Sequence, residues 1–222
     1  MAQGQELVWD ETGKKLYETG VSKGVLYTQD DNGAYPKGVA WNGLSGVTES
    51  PSGAEATAVY ADNIKYLNLR SAEEFKATVE AYMYPDEFAE CDGSKTVAKG
   101  VTIGQQPRKS FGLCYKTIIG NDVKQDKFGY KLHFVYGATA APSEKGYKTV
   151  SDSPEAMTFS WSIDTVPVNV TGSEPTATLV VDSRTCDPEK LKGLEKIIYG
   201  STEADARLPL PDEIINIIGV AA

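Results

Sequence analysis

The sequence predicts a mainly β protein, an antiparallel β-sandwich or small barrel whose clearest helices lie at its C-terminal end. Three observations predict it. Short runs alternating apolar and polar residues recur along the chain, Gly, Pro, Asn and Asp cluster between them, and a helical stripe of apolar residues stands out only after Cys186. Many short strands divided by turn signals point to a sandwich or barrel rather than to a parallel sheet, whose strands alternate with helices.

Taken in chain order, the first strand is expected at "GVLYTQ", residues 24–29. The segment from Tyr35 to Ala56 reads as a long loop, rich in glycine and holding two prolines, yet it carries Trp41, Leu44 and Val47. A loop with such large apolar side chains packs on something. Strands follow at "ATAVY" and "IKYLNL".

The next stretch, "SAEEFKATVEAYMYPDEF" at residues 71–88, supports two incompatible patterns. As a helix it has Ser71 as cap and Glu74 closing a capping box, with Phe75, Val79 and Tyr82 or Met83 on one face. As a strand it alternates Phe75, Ala77, Val79, Ala81 and Met83 with Lys76, Thr78, Glu80, Tyr82 and Tyr84. The strand preference of Thr78, Val79, Tyr82 and Tyr84, and the proline that would stop a preceding helix, permit a strand followed by a helix at Asp86–Glu90.

Beyond it, "FGLCYKTIIG" sets Phe111, Leu113, Tyr115 and Ile119 on one side, and "YKLHFVYGAT" does the same with Tyr130, Leu132, Phe134 and Tyr136. The polar "NDVKQDKFG" between them makes the two neighbouring antiparallel strands. In "EAMTFSWSID", Met157, Phe159, Trp161 and Ile163 face one way and Thr158, Ser160, Ser162 and Asp164 the other, as in a half-buried strand. A last strand is expected at "ATLVVDS". The helix after it has Asp187 as N-cap, Pro188 at its first position, Leu191, Leu194, Ile197 and Ile198 on one stripe, and Gly200 as its stop. "PDEIINIIG" repeats the arrangement in miniature.

Lys and Arg number 22 against 31 Asp and Glu, a net charge of -9, which argues against a protein that grips nucleic acid through its phosphates. No signal peptide is visible at the N-terminus and no run is long and apolar enough for a bilayer, so synthesis in a cytoplasm and no membrane contact are expected. Cys91, Cys114 and Cys186 are odd in number and lack CxxC spacing, and read as reduced, structural thiols. No metal-ligand or cofactor-binding motif occurs, and none of the common catalytic motifs. The single histidine, His133, faces away from Leu132 and Phe134 on its strand and reads as a packed or surface side chain. No enzymatic activity is expected.

The blocks "YADNIKYLNLRSAEEFKATVEAYMYPDEFAECDGS", "GVTIGQQPRKSFGLCYKTIIGNDV" and "GYKLHFVYGATAAPSEKGYKTVSDSPEAMTFSWSIDTVPV" resemble the major tail protein, or tail tube protein, of long-tailed non-contractile bacteriophages over roughly residues 20–170. The resemblance implies a β-sandwich or small barrel with a flanking short α-helix, a fold shared with the tube protein of type VI secretion systems. It favours the strand pattern for Phe75–Tyr84. It implies one tail-tube domain over residues 1–222, with hexameric rings of the chain itself stacked into a hollow tube in the virion tail. The implied partners are a tape-measure protein, a tail terminator and distal tail proteins, with DNA only as non-specifically conducted cargo.

Under that resemblance, the loop of residues 35–56, with Trp41, Leu44 and Val47, is the expected contact between subunits, and residues 1–20 and 201–222 are expected arms. A tube that conducts DNA must not hold it, so an acidic lumen is expected, with Thr78, Glu80, Thr158, Ser160, Ser162 and Asp164 as the candidate lumen-facing side chains. The alternative reading is a β-sandwich module for carbohydrate binding or adhesion.

Overall fold

The computed structural model describes residues 6–150, 152 and 155–219. The strands are β1 (Leu16–Thr28), β2 (Gly38–Ala40), β3 (Leu44–Glu49), β4 (Ser52–Gly53), β5 (Ala56–Ala61), β6 (Ile64–Arg70), β7 (Glu73–Glu74) and β8 (Lys76–Ala81). A single helical turn α1 (Phe88–Cys91) leads to β9 (Lys95–Ala98), β10 (Val101–Ile103), β11 (Phe111–Asn121) and β12 (Gln125–Ala140). There follow β13 (Phe159–Thr165), β14 (Val168–Val170), β15 (Ser173–Thr176), β16 (Thr178–Asp182), α2 (Pro188–Tyr199) and α3 (Pro211–Ile218). The protein is mainly β, and its strand pairs are antiparallel.

Eight strands form the main sheet in the order β2-β1-β11-β12-β13-β8-β3, with β16 pairing an earlier stretch of β12 than β13 does. The sheet curls until its far edge meets its start. The Trp41 amide bonds the Gly24 carbonyl at 2.8 Å, and a Cβ on Gly24 would lie 2.7 Å from Leu44 Cδ2. Glycine at 24 is what allows β3 to approach β1 this closely.

The inside of the curl holds Leu26, Ala77, Val79, Leu113, Val135 and Ile163 around an aromatic cluster. Trp41 stands 4.7 Å from Phe88 and 5.9 Å from Trp161, and Phe88 stands 5.0 Å from Trp161, ring centre to ring centre. Such tilted and edge-on contacts add to the area these rings bury. Both indoles keep a partner for their N–H: Trp41 donates to the Met83 carbonyl at 3.0 Å and Trp161 to Asp92 at 3.2 Å. Asp92, only 9% exposed, is also held by Lys145 and by Arg108 at 3.5 Å, so a buried carboxylate has two cations beside it.

The outside of the curl is covered as well. Val25, Tyr27, Cys114, Leu132, Phe134 and Tyr136 pack against Leu191, Leu194 and Ile198 of α2 and Ile214 of α3. α2 begins as its sequence predicts, Asp187 accepting from the Glu189 and Lys190 amides at 2.8 and 3.1 Å, and ends at Gly200 with φ 79°. α3 holds the β14–β15 hairpin through Asp212, which accepts from the amide and hydroxyl of Thr171 at 2.9 and 2.7 Å.

The ambiguous stretch at residues 71–88 forms a strand, shorter than expected: β8 ends at Ala81, and α1 starts at Phe88 rather than Asp86. Met83 and Met157, expected on inner faces, lie just outside β8 and β13 and are 58% and 39% exposed.

Three expectations about extensions need correction. Residues 35–56 are not a free loop: β2 and β3 belong to the main sheet, Trp41 is 3% exposed, and Leu44 and Val47 pack on the inner core. Residues 201–222 are not an arm over their described part, because Leu208 pairs with Tyr35, Pro209 accepts from the Tyr136 hydroxyl at 3.0 Å, and Ile214 is buried. At the other end, Leu16–Gly20 are already within β1, with residues 16–19 paired to β11. The apolar residues of these segments are visible in the sequence, but that they reach this chain's own core depends on tertiary packing that local pattern does not encode.

Trp41→Ala should therefore destabilise the monomer by about 3–5 kcal/mol, as expected for removing a buried aromatic side chain. Urea unfolding at a concentration where the protein is monomeric measures it, and an unchanged midpoint would mean that Trp41 is not a core residue.

Candidate assembly interface

Five of the six residues predicted to face a lumen come from two adjacent strands, β8 and β13, and the register brings most of them together. Ser160 lies opposite Glu80 and Ser162 opposite Thr78, while Ala77, Val79, Ala81, Phe159, Trp161 and Ile163 point into the core. Thr158 precedes β13 and is exposed. These side chains share one outer face of the curled sheet. The face is less uniformly acidic than the sequence suggests, because Lys76 sits opposite Asp164 at 3.5 Å and also reaches Glu74 at 3.4 Å. Exposed pairs of this kind contribute little stability.

Trp41, Leu44 and Val47, expected to contact a neighbouring subunit, are used inside the chain. A different element presents apolar surface. β5 and β6 pair only with each other, and Tyr60, Ile64, Tyr66, Leu67 and Leu69 are between 39% and 69% exposed. Asp62 and Asn63 at the turn both have positive φ, 48° and 64°, the conformation of a tight two-residue hairpin loop. An isolated two-stranded hairpin is marginally stable in water, and a patch of large apolar side chains on one marks a contact surface. The sequence identifies both strands; that they leave the main sheet depends on pairing that local pattern does not encode. A second short hairpin, β9–β10, exposes Val97, Val101 and Ile103.

At one end of the curl lies a polar cluster that no sequence motif announces. His133 stacks on Tyr115 with ring centres 4.7 Å apart and planes within 4°. Its Nε2 is 2.9 Å from the Thr117 hydroxyl, which donates to Glu18 at 2.5 Å. Since that hydroxyl has one proton, His133 Nε2 is the donor in the first of these bonds. Thr117 therefore does not hand its proton to the imidazole, as a nucleophile would to its base.

Glu49 accepts from the Tyr115 hydroxyl at 2.5 Å and stands 3.6 Å from His133 Nδ1, beyond hydrogen-bond distance. Lys131 bonds Glu18 at 2.5 Å. The cluster thus links β1, β3, β11 and β12. His133, together with the Tyr115 hydroxyl, holds the Glu49 carboxyl below its ordinary 4.5 against the opposing effect of burial. Burial would raise Glu18, but Lys131 and Thr117 outweigh it and hold that carboxyl low as well.

The three thiols are free, and burial pushes Cys91 up to about 12 and raises Cys114 further still. Among the described residues no group of three or more His, Cys, Asp or Glu side chains is placed to hold a metal ion. No described helix is long and apolar enough to cross a membrane.

No protein-family model and no curated protein matches the chain. Similar solved structures include a chain of the anti-feeding prophage baseplate, with 8% identity, a TM-score of 0.37 and coverage of 79% of this chain and 97% of that one. Another is a chain of an extracellular contractile injection system, in a sheath-tube complex in the extended state. It shows 9% identity and a TM-score of 0.33, covering 72% of this chain and 88% of that one.

Glu49 and its partners make a prediction about acid stability. A carboxyl whose folded-state pKa is depressed contributes stability that is present above its unfolded pKa and lost as pH falls through the folded one. Glu49→Gln should lower stability at pH 7, and the difference from the parent should shrink as pH falls below the ordinary 4.5 of Glu49. Urea midpoints measured from pH 7 to pH 3 test this; a difference independent of pH would remove Glu49 from the account.

Proposed function

We propose that the chain is a structural, non-enzymatic subunit of a bacteriophage tail that assembles with copies of itself into stacked hexameric rings, forming the tube through which the genome leaves the virion. The observation that carries this reading is the β5–β6 hairpin, which stands apart from the main sheet with Tyr60, Ile64, Tyr66, Leu67 and Leu69 in solvent. Apolar surface on a projecting hairpin is covered when it docks on a neighbouring copy. A contact between two different patches of identical chains closes into rings or propagates along a filament.

The block-wise resemblance to tail tube proteins supports the same reading, and the curled antiparallel sheet agrees with the fold that resemblance implies. In this assembly the outer face of β8 and β13, with Thr78, Glu80, Thr158, Ser160, Ser162 and Asp164, lines the lumen. Small polar and acidic side chains there deny phosphates a run of cations to bind. The tape-measure protein occupies the lumen before the DNA does, and terminator and distal tail proteins close the two ends.

Two experiments test the proposal. Tyr66→Ser with Leu69→Ser removes apolar surface that is exposed in the monomer, so thermal unfolding should change by no more than about 0.5 kcal/mol. Tubes seen by negative-stain microscopy of the parent should be missing from the variant; tubes of normal length would exclude the hairpin as the contact. Glu80→Lys with Asp164→Lys should permit assembly but make the tubes retain DNA at low salt, measured by co-sedimentation. Retention equal to that of the parent would take this face out of the lumen.

A further inference from the structure

An acidic chain has gathered lysines around one groove. Between α2, the start of β12 and the bulge of β1 lies an open groove of about 570 Å³, rimmed by Lys23, Lys116, Lys127 and Lys192. Its floor is apolar, with Ile118, Phe128, Tyr130 and the buried Leu191. Lys23 is brought to the rim by the irregularity between Ser22 and Val25, where it takes φ 50°. Lys116 lies 3.5 Å over the Tyr130 ring. Lys192 pairs with Glu189 at 2.9 Å, whereas Lys23, Lys116 and Lys127 have no carboxylate within 4.0 Å among the described residues. Two carboxylates also line the groove, and each accepts from a tyrosine hydroxyl at 2.9 Å, Asp126 from Tyr17 and Glu195 from Tyr130.

The complement of this groove is in the same sequence. Residues 6–11 read "ELVWDE", three apolar side chains between acidic ones. Leu7, Val8 and Trp9 are 72%, 65% and 75% exposed, so the chain does not cover them with its own surface. The segment is tethered just behind: the Gly13 amide bonds Asp122 at 2.9 Å, Asn121 bonds the Gly13 carbonyl at 2.9 Å, and Glu11 pairs with Lys14.

We infer that residues 6–11 of one copy dock in the lysine-rimmed groove of another, Leu7, Val8 and Trp9 on its apolar floor and Glu6 and Asp10 against Lys116 and Lys127. Charge and polarity match along the segment, a matching that guides association and sets register. A buried Trp among satisfied charges is the usual form of an interface anchor. Nucleic acid fits the groove less well, since phosphates would leave uncovered the apolar floor that Leu7, Val8 and Trp9 cover. The inference rests on the proposed self-assembly but is tested apart from it.

A fluorescent peptide of residues 6–13 is titrated with the full chain carrying Trp9→Ser, so that the receptor's own segment competes poorly. Binding should saturate at low salt, weaken as salt screens the charges, and fall about tenfold with Lys116→Glu and Lys127→Glu together. A peptide with Glu6→Lys and Asp10→Lys should prefer that charge-reversed receptor. Lys127→Glu alone, at an exposed site that leaves the fold intact, should weaken binding in the same direction. Absence of saturable binding to folded receptor, or binding indifferent to both lysine variants, overturns the inference. So does a single-stranded oligonucleotide that binds in the peptide's place and is lost in the lysine variants. Peptide binding by a parent chain that forms no tubes would keep the docking and reject the tube, and tubes without peptide binding would do the reverse.

Discussion

Burial of the β1–β11–β12 ribbon on both faces is the constraint on which the rest of the structure depends. Cys114 and Leu113 are neighbours in β11, and both are fully buried, one towards the helices and the other towards the inside of the curl. Leu26 and Tyr27 in β1, and Phe134 and Val135 in β12, divide in the same way. A ribbon that is apolar on both sides needs two covers. One is the rest of the sheet, rolled over so that β8, β13 and β3 close the inner core. The other is the pair of C-terminal helices, which for this reason cannot be an arm.

The inner core is completed from segments outside the long strands. Trp41 lies between β2 and β3 and Phe88 opens a single helical turn, yet both meet Trp161 at the centre of the curl. Their polar atoms are answered by backbone and by Asp92, which ties together α1, the segment before β11 and the chain after β12 through Arg108 and Lys145. Polar groups this deep are tolerated only when partnered, so the aromatic cluster and its polar ties form one unit.

What was legible in the sequence is what local physics decides. Alternation around Trp161 places one face of β13 correctly, and Asp187, Pro188 and Gly200 bound α2 because capping is a matter of a few residues. The competition at residues 71–88 ended in a strand, since β8 sits between β3 and β13 and its Ala77, Val79 and Ala81 fill the core. Partners distant in sequence were not legible. Nothing near Trp41 shows that Trp161 awaits it, and nothing near His133 shows Glu18 and Glu49. The β5–β6 strands read as strands, but their exposure follows from their pairing only with each other, outside the main sheet, which local pattern does not encode.

These features divide the molecule into a closed core and a set of outer surfaces: an apolar hairpin, a small polar face on β8 and β13, and an acidic, tryptophan-bearing N-terminal segment. The measurement that tests the assembly account most directly is a cryo-electron microscopy reconstruction of the concentrated, purified protein. The account predicts stacked rings around a central channel, with Tyr66 and Leu69 buried against a neighbouring copy and Glu80 and Ser160 towards the channel. A particle that remains a monomer at every concentration, its β5–β6 hairpin in solvent, would contradict it.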